Sequence, residues 1–171
     1  MKKNLLIYSL AGLMFTALGA FAAIQTQAPD PEPVVATLLA QQLKDPAGQA
    51  QSLARFKGKP MIVNFWATWC APCVKEMPEL SGLAAELAPK GVQVLGIGID
   101  SPSNIREFLV KTKVSYPIFV AGLEGTELSR QFGNKQGGLP FTVLVGADGK
   151  VRKTYLGALK FEQLRADLAA L

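Results

Sequence analysis

Two cysteines separated by two residues are the strongest chemical signal in this sequence. Cys70 and Cys73 are its only cysteines, and they stand in the motif W-C-A-P-C at residues 69–73. Side chains three positions apart share one side of a helix, with β-carbons about 5–6 Å apart, so a small adjustment lets the sulfurs bond. The motif predicts a redox-active disulfide.

The position of the pair predicts different roles for the two sulfurs. We expect a helix to begin at Cys70, where free backbone N–H groups and the helix dipole stabilise a thiolate. Pro72 suits the first turn of such a helix, because no hydrogen-bonded N–H is lost there. Cys73 lies one turn further along and is expected to be more buried. Cys70 should therefore attack first, and Cys73 should resolve the mixed disulfide.

Other uses of a cysteine pair fit the sequence less well. A structural disulfide closing so short a loop removes little chain entropy. A zinc site needs four ligands, and the chain has no further cysteine and no histidine. Covalent haem attachment needs histidine after the second cysteine, where the sequence has Val74. Thiol exchange needs no cofactor beyond the Cys70–Cys73 pair, and we expect no metal.

The order of elements predicts how the pair is positioned. Residues 61–67 form a nearly continuous apolar run, as in a central strand covered on both faces, and residues 72–88 have apolar side chains at helical spacing. A short β-hairpin is predicted before them, at residues 38–44 and 49–53. Further strands are predicted at residues 92–99, 117–120, 141–145 and 151–155, and helices at 105–113, 126–132 and 161–171. Asp100-Ser101-Pro102 is a helix-start signal before the first of these helices. This order predicts an α/β fold with a mixed sheet flanked by helices.

The first 24 residues form a separate segment. Lys2 and Lys3 precede an uncharged apolar run over residues 5–24, which is long enough to span a bilayer as a helix. Ala20-Phe21-Ala22 has the small-x-small form of a signal-peptidase site. A retained membrane anchor is favoured because the run continues past this site, and cleavage near Ala22 stays open. Both alternatives export the remaining chain across the bacterial inner membrane to the periplasm.

Length and charge limit the other possibilities. Residues 25–37 contain three prolines and predict an extended linker, which leaves residues 38–171 as one domain with enough apolar residues for a core. The formal net charge of the 171-residue chain is +5. Lys2 and Lys3 supply two of those charges, and the other basic residues are not clustered. Nucleic-acid binding needs a basic patch, so we expect none.

Three motifs resemble a known family. V-N-F-W-A-T-W-C-A-P-C at residues 63–73 is similar to the active-site stretch of thioredoxin-like proteins, and K-E-M-P at residues 75–78 is similar to that of the TlpA/ResA/DsbE branch. G-L-P at residues 138–140 matches the loop that carries a cis-proline in this fold. The resemblance covers residues 38–171 and implies a thioredoxin-like fold with an N-terminal β-hairpin.

The resemblance implies roles for residues around the cysteines. Pro140 would be cis and lie against the disulfide, leaving the Leu139 backbone free to pair with an extended substrate segment. Pro78 would kink the helix. Trp69 would shield the active site, whereas Trp66 is either a functional partner or a core residue. The expected substrate-binding residues are Trp69, Pro72, Leu139 and Pro140.

The sequence departs from thioredoxin itself at one informative position. Thioredoxin has a buried aspartate two residues before the first tryptophan, and this chain has Asn64, which cannot take a proton. The TlpA/ResA branch has a glutamate three residues after the second cysteine, matched here by Glu76. One helical turn separates Glu76 from Cys73, and partial burial would raise its pKa into a useful range for proton transfer. The alternative is an ordinary solvated surface glutamate.

The resemblance implies a reductase of disulfides in other exported proteins, such as apocytochrome c or metal-site assembly proteins. No second cysteine pair is present to supply electrons, so a membrane-bound electron donor is expected. Partner choice is expected to depend on the loops at residues 100–105 and 136–139. A peroxiredoxin-type thiol peroxidase is one alternative, although the spacing of Thr68 and Cys70 does not match its Thr-x-x-Cys motif. A non-catalytic interaction module is another, although an intact cysteine pair argues against it.

Overall fold

The computed structural model describes residues 32–171, in which seven strands form one mixed sheet. They are β1 (Gln42–Lys44), β2 (Ala50–Ser52), β3 (Met61–Trp66), β4 (Gln93–Gly98), β5 (Ile118–Val120), β6 (Phe141–Val145) and β7 (Val151–Leu156). Their order in the sheet is β2-β1-β5-β4-β3-β6-β7. β3 and β4 are parallel, as are β4 and β5, and the other neighbours are antiparallel. The predicted mixed sheet and N-terminal hairpin are confirmed.

Helices connect these strands and cover the sheet. They are α1 (Pro33–Leu39), α2 (Ala71–Leu87), α3 (Pro102–Lys111), α4 (Glu124–Gln131) and α5 (Phe161–Ala169). The longest of them, α2, follows β3 after a short turn that contains Cys70. Proline is accommodated in the first turn of α1, α2 and α3, where its missing N–H has no helical partner. Pro78 lies inside α2.

The sheet has two chemically different faces, because successive side chains of a strand point to opposite sides. Met61, Val63 and Phe65 of β3 belong to one buried cluster, which also contains residues of α1 and is called the apolar face here. Ile62 and Trp66 belong to a second cluster, which includes the buried side of α2 and both cysteines and is called the redox face. The sheet thus holds the disulfide against one face only.

The N-terminal boundary of the domain differs from the prediction. Residues 33–37 were predicted to belong to an extended linker and residues 38–44 to a strand, whereas Pro33–Leu39 form α1. Val35 and Leu38 are fully buried in the apolar face, so α1 is part of the folded domain. Prolines near its start suggested a linker, but the spacing of Val35 and Leu38 is helical.

The start of the described chain is attached to the opposite end of the sheet from the cysteines. The Glu32 N–H donates to the carbonyl oxygen of Gly149, in the turn between β6 and β7, at 3.0 Å. The predicted anchor or signal segment and residues 25–31 of the predicted linker lie outside the described residues. Within residues 32–171, no helix is both long and apolar enough to cross a membrane.

The remaining elements agree with the predictions to within a few residues. α3 starts at the predicted Asp100-Ser101-Pro102 signal, three residues before the range 105–113, and the Ser101 side chain caps it by accepting a hydrogen bond from the Asn104 N–H at 3.1 Å. α4 starts two residues earlier, and α5 ends at Ala169 rather than at the last residue.

Candidate active site

Cys70 and Cys73 form a disulfide where β3 gives way to α2. Their S–S distance is 2.05 Å. Cys70 is the N-cap of α2, and its sulfur accepts a hydrogen bond from the Cys73 N–H at 3.3 Å. Cys73 is fully buried, whereas Cys70 keeps 6% of its surface exposed. Pro72 is exposed in the first helical turn. Cys70 is therefore the sulfur nearer to solvent.

Glu76 is buried on the same side of α2 as Cys73, with 6% of its surface exposed. One carboxyl oxygen, Oε1, accepts a hydrogen bond from Asn64 Nδ2 at 2.9 Å, and Oε2 accepts one from the Leu159 N–H at 3.0 Å. Burial raises the pKa of the Glu76 carboxyl, and the two hydrogen bonds offset part of that rise. Glu76 is therefore not a solvated surface residue, unlike the exposed Glu79 on the same helix.

The groups that hold Glu76 were not identified from the sequence. Asn64 is 1% exposed and also donates from Nδ2 to Thr142 Oγ1 at 3.0 Å, while its Oδ1 is buried and has no hydrogen-bond partner within residues 32–171. The prediction treated Asn64 only as the loss of a proton acceptor. The available signal was an amide in an otherwise apolar central strand. The backbone of Leu159 left no signal, because it lies 83 residues from Glu76 in the sequence.

The two tryptophans have different environments. Trp66 is fully buried and packs against Phe108, with ring centroids 5.4 Å apart. Trp69, directly before Cys70, is 69% exposed. Trp66 is thus a core residue of the redox face, and Trp69 presents an apolar surface beside the disulfide.

The loop before β6 contains a cis peptide bond between Leu139 and Pro140, as predicted. Leu139 is half-buried and packs against both clusters of the core, including the one with the cysteines. Asn134, which the sequence analysis did not single out, holds this loop through Gly138. Its Nδ2 donates to the Gly138 carbonyl at 2.9 Å, and its Oδ1 accepts from the Gly138 N–H at 3.1 Å. In the described part of the chain, no hydrogen bond engages the Leu139 backbone.

A cleft of about 420 Å³ opens beside Trp69 and is lined by both loops that were expected to select partners. Asp100 and Leu139 come from those loops, and the exposed Leu123 lines the same cleft. Desolvation raises the pKa of Asp100, but hydrogen bonds from Thr68, Asn104 and Ser101 outweigh it, so the pKa lies below its ordinary value. The carboxylate is thus held by the protein at the rim of the cleft.

The family of this chain follows from its match to a protein-family model. The family model described as Redoxin matches residues 25–168. The chain belongs to the redoxin family. It is 30% identical over 130 residues to the thiol–disulfide oxidoreductase ResA of Geobacillus thermodenitrificans, covering 75% of this chain and 72% of that protein.

Solved structures of similar proteins give the same fold. A thioredoxin-related protein from Neisseria meningitidis serogroup B has a TM-score of 0.66 and 37% identity, covering 75% of this chain and 97% of that one. A secreted Mycobacterium tuberculosis disulfide oxidoreductase homologous to DsbE of E. coli has a TM-score of 0.63 and 26% identity, with coverages of 78% and 97%. The resemblance to the TlpA/ResA/DsbE branch is confirmed, and the chain is a thiol–disulfide oxidoreductase.

Proposed function

We propose that this protein is an exported reductase that transfers two electrons from a Cys70/Cys73 dithiol to a disulfide of another exported protein. The observation that carries the proposal is the buried Glu76 carboxyl one helical turn beyond Cys73, below a disulfide whose neighbouring residue Trp69 lines an open cleft. A raised pKa brings a carboxyl closer to the range in which it can act as a general acid and base.

The first step forms a mixed disulfide. The Cys70 thiolate, stabilised at the N-terminus of α2, attacks one sulfur of the substrate disulfide. The substrate S–S bond breaks as the new bond forms, and the released substrate thiolate takes a proton from water. The free backbone of Leu139 pairs with an extended substrate segment next to Pro140. Trp69 and Pro72, both exposed beside Cys70, contact its side chains.

The second step releases the substrate. The Cys73 thiol gives its proton to Glu76, and the resulting thiolate attacks the Cys70 sulfur. The mixed disulfide breaks, the Cys70–Cys73 disulfide forms, and the substrate leaves with its second sulfur reduced. The proton on Glu76 passes to that departing thiolate or to water. Two electrons have then moved from the protein to its substrate.

Export and electron supply follow from the rest of the sequence. Lys2, Lys3 and the apolar run at residues 5–24 support translocation, with the segment either retained or cleaved near Ala22. A similar M. tuberculosis protein is described as secreted. The single cysteine pair must be reduced again after each turnover, so the proposal includes a membrane-bound electron donor. The substrates we propose are apocytochrome c or proteins of metal-site assembly.

Reduction of a model substrate tests the chemistry. The full-length protein, reduced beforehand and freed of reductant, is mixed with insulin, and loss of insulin disulfides is measured. Cys70→Ser should abolish the reaction. Cys73→Ser should stop it at a covalent complex through Cys70, which mass spectrometry detects. Reduction that proceeds unchanged in Cys70→Ser would exclude the mechanism.

Trapping in the native cell envelope tests the substrate class. Full-length Cys73→Ser is expressed, and proteins bound to Cys70 through a disulfide are identified by mass spectrometry. Exported proteins that carry cysteine pairs are expected, and exclusively cytoplasmic ones would contradict export. The mass of the recovered protein distinguishes a retained segment from cleavage near Ala22.

A further inference from the structure

The two carboxyl oxygens of Glu76 have hydrogen-bond partners that differ in whether they can also accept a hydrogen bond. Oε2 accepts from the Leu159 N–H at 3.0 Å, and because a peptide N–H only donates, this oxygen must remain an acceptor. Oε1 accepts from Asn64 Nδ2 at 2.9 Å. Oε1 faces a side-chain amide that can present either a donor or an acceptor, so a proton taken up by Glu76 is accommodated on Oε1.

A proton on Oε1 makes the present contact unfavourable, because the carboxylic acid O–H and the amide N–H are then both donors. Rotation by about 180° around the Cβ–Cγ bond of Asn64 exchanges Nδ2 and Oδ1, and the amide oxygen then accepts from the acid. Thr142 fits both orientations. Its Oγ1 lies 3.0 Å from Asn64 Nδ2, and a hydroxyl either accepts from that N–H or donates to an oxygen in its place.

No third hydrogen bond holds the Asn64 amide in its present orientation. Oδ1 is buried and unpartnered within residues 32–171. After rotation Nδ2 takes that unpartnered position, so each orientation leaves one amide atom without a partner. The contact with Glu76, which reverses with protonation, therefore decides between the two orientations.

The other groups near Glu76 do not provide such a contact. Tyr116 is buried, and its hydroxyl makes no hydrogen bond within residues 32–171. Burial, followed by the charge of Glu76, raises the pKa of its phenol, which stays neutral. Lys75 and Glu79 lie on the exposed side of α2, and Cys73 lies one turn away on its buried side. Leu159 contributes only a backbone donor.

We propose that Asn64 is the positioning residue for the proton of Glu76. Its amide donates to the carboxylate, rotates, and accepts from the carboxylic acid that forms when Cys73 gives up its proton. Glu76 then keeps two hydrogen bonds in both protonation states, so its side chain stays in place while the proton arrives and leaves. This inference rests on the proposed function in that it takes the proton from Cys73.

The rotation itself is tested without any measurement of activity. The oxidised full-length protein, whose cysteines do not titrate, is labelled with ¹⁵N and ¹³C and titrated in an NMR experiment. We expect nuclear Overhauser contacts between the Asn64 NH₂ protons and the Thr142 methyl group above the Glu76 midpoint and their loss below it. In Glu76→Gln these contacts should no longer depend on pH. Contacts that persist through the Glu76 titration would overturn the proposal.

Kinetic coupling tests whether Asn64 acts through Glu76. Asn64→Leu, which keeps the size but neither donates nor accepts, should slow release of the mixed disulfide about tenfold. The double variant Asn64→Leu/Glu76→Gln should be no slower than Glu76→Gln alone. Asn134→Leu is the matched control: it removes another buried amide, at the substrate loop, and its effect should multiply with that of Glu76→Gln.

The outcomes separate this inference from the proposed function. Multiplying effects of Asn64→Leu and Glu76→Gln would show that Asn64 acts only on packing, and would overturn the inference. Should Asn64→Leu fail to fold, the NMR titration of the unsubstituted protein still decides. A protein that reduces insulin while its Asn64 amide never rotates would keep its function and lose this mechanism of proton positioning.

Discussion

The two faces of the central sheet are both buried, but one is packed with apolar side chains and the other contains the buried Glu76 carboxyl. On the apolar face, Met61, Val63 and Phe65 pack against other apolar side chains. On the redox face, Asn64 lies between Ile62 and Trp66 in the same strand and binds the buried Glu76. A buried carboxyl weakens a core, because burial disfavours its charged form. The apolar face supplies stability, and the redox face gives up part of it for proton chemistry.

The largest expected effect is on the apolar face. Phe65→Ala removes a fully buried ring that lies near Phe132 and Phe141, and should lower the free energy of unfolding by about 3–5 kcal/mol. Denaturant unfolding of the oxidised protein measures this loss. While the variant remains folded, the pH dependence of its thiol exchange should match that of the unsubstituted protein. An altered pH profile would contradict the division between the faces.

The converse substitution is Glu76→Gln on the redox face. A glutamine amide cannot take the proton of Cys73, so we expect release of the mixed disulfide to slow by about tenfold to a hundredfold between pH 6 and pH 9. Stopped-flow measurement of insulin reduction gives the rate. The fold should be retained, because the side-chain oxygen of the introduced glutamine still accepts hydrogen bonds. Equal rates over this pH range would remove Glu76 from the mechanism.

The pH dependence of the free energy of unfolding compares Glu76→Gln with the unsubstituted protein without any measurement of catalysis. Burial raises the pKa of Glu76 in the folded protein above its ordinary value of 4.5. Between the unfolded-state and folded-state pKa values of Glu76, the folded protein binds more protons than the unfolded protein. Protonation of Glu76 therefore stabilises the folded state; this stabilisation is fully present below pH 4.5 and is lost as the pH rises through the folded-state pKa. Glu76→Gln lacks the effect. Its unfolding free energy, relative to the unsubstituted protein, should increase with pH, and a constant difference would contradict the raised pKa.

The smallest effect is expected at the surface beside the redox face. Trp69→Ala should leave the free energy of unfolding within about 0.5 kcal/mol, because the side chain is 69% exposed. It should raise the KM for a protein substrate by about threefold and leave the reaction with a small disulfide unchanged, because only a protein extends into the cleft. Val110→Ala, at another exposed apolar position, on α3, is the matched control and should change neither. A proportional loss with both kinds of substrate would place Trp69 in the chemistry rather than in binding.

The part of the site formed by residues close in the sequence could be predicted, whereas the contacts between distant segments could not. Cys70, Cys73 and Glu76 stand within seven residues, so helical spacing alone placed them on one side of α2. Leu159 reaches the Glu76 carboxyl group, and Thr142 reaches the Asn64 amide that binds it, only through the sheet and the chain that follows it. The spacing of apolar residues within one helix or strand does not predict contacts between segments that are distant in the sequence.

The N-terminal helix shows a second kind of limit. Pro33 at its start fits a linker and a first helical turn equally well, and only the burial of Val35 and Leu38 against the sheet distinguishes the two. Fold class therefore followed from the alternation of elements. The domain boundary depended on tertiary packing, which the pattern of residues does not contain.

Glu32, the first described residue, lies at the end of the sheet opposite the cysteines. Its backbone is bonded to Gly149 beyond the end of β6, where Val145 pairs with the first residue of β3, whereas Cys70 follows the last. The length of β3, about 17–20 Å at about 3.3 Å per residue, therefore separates the two ends. A surface joined to the domain directly at Glu32 therefore lies at the far end of the sheet from the sulfurs and leaves them accessible to a large folded partner.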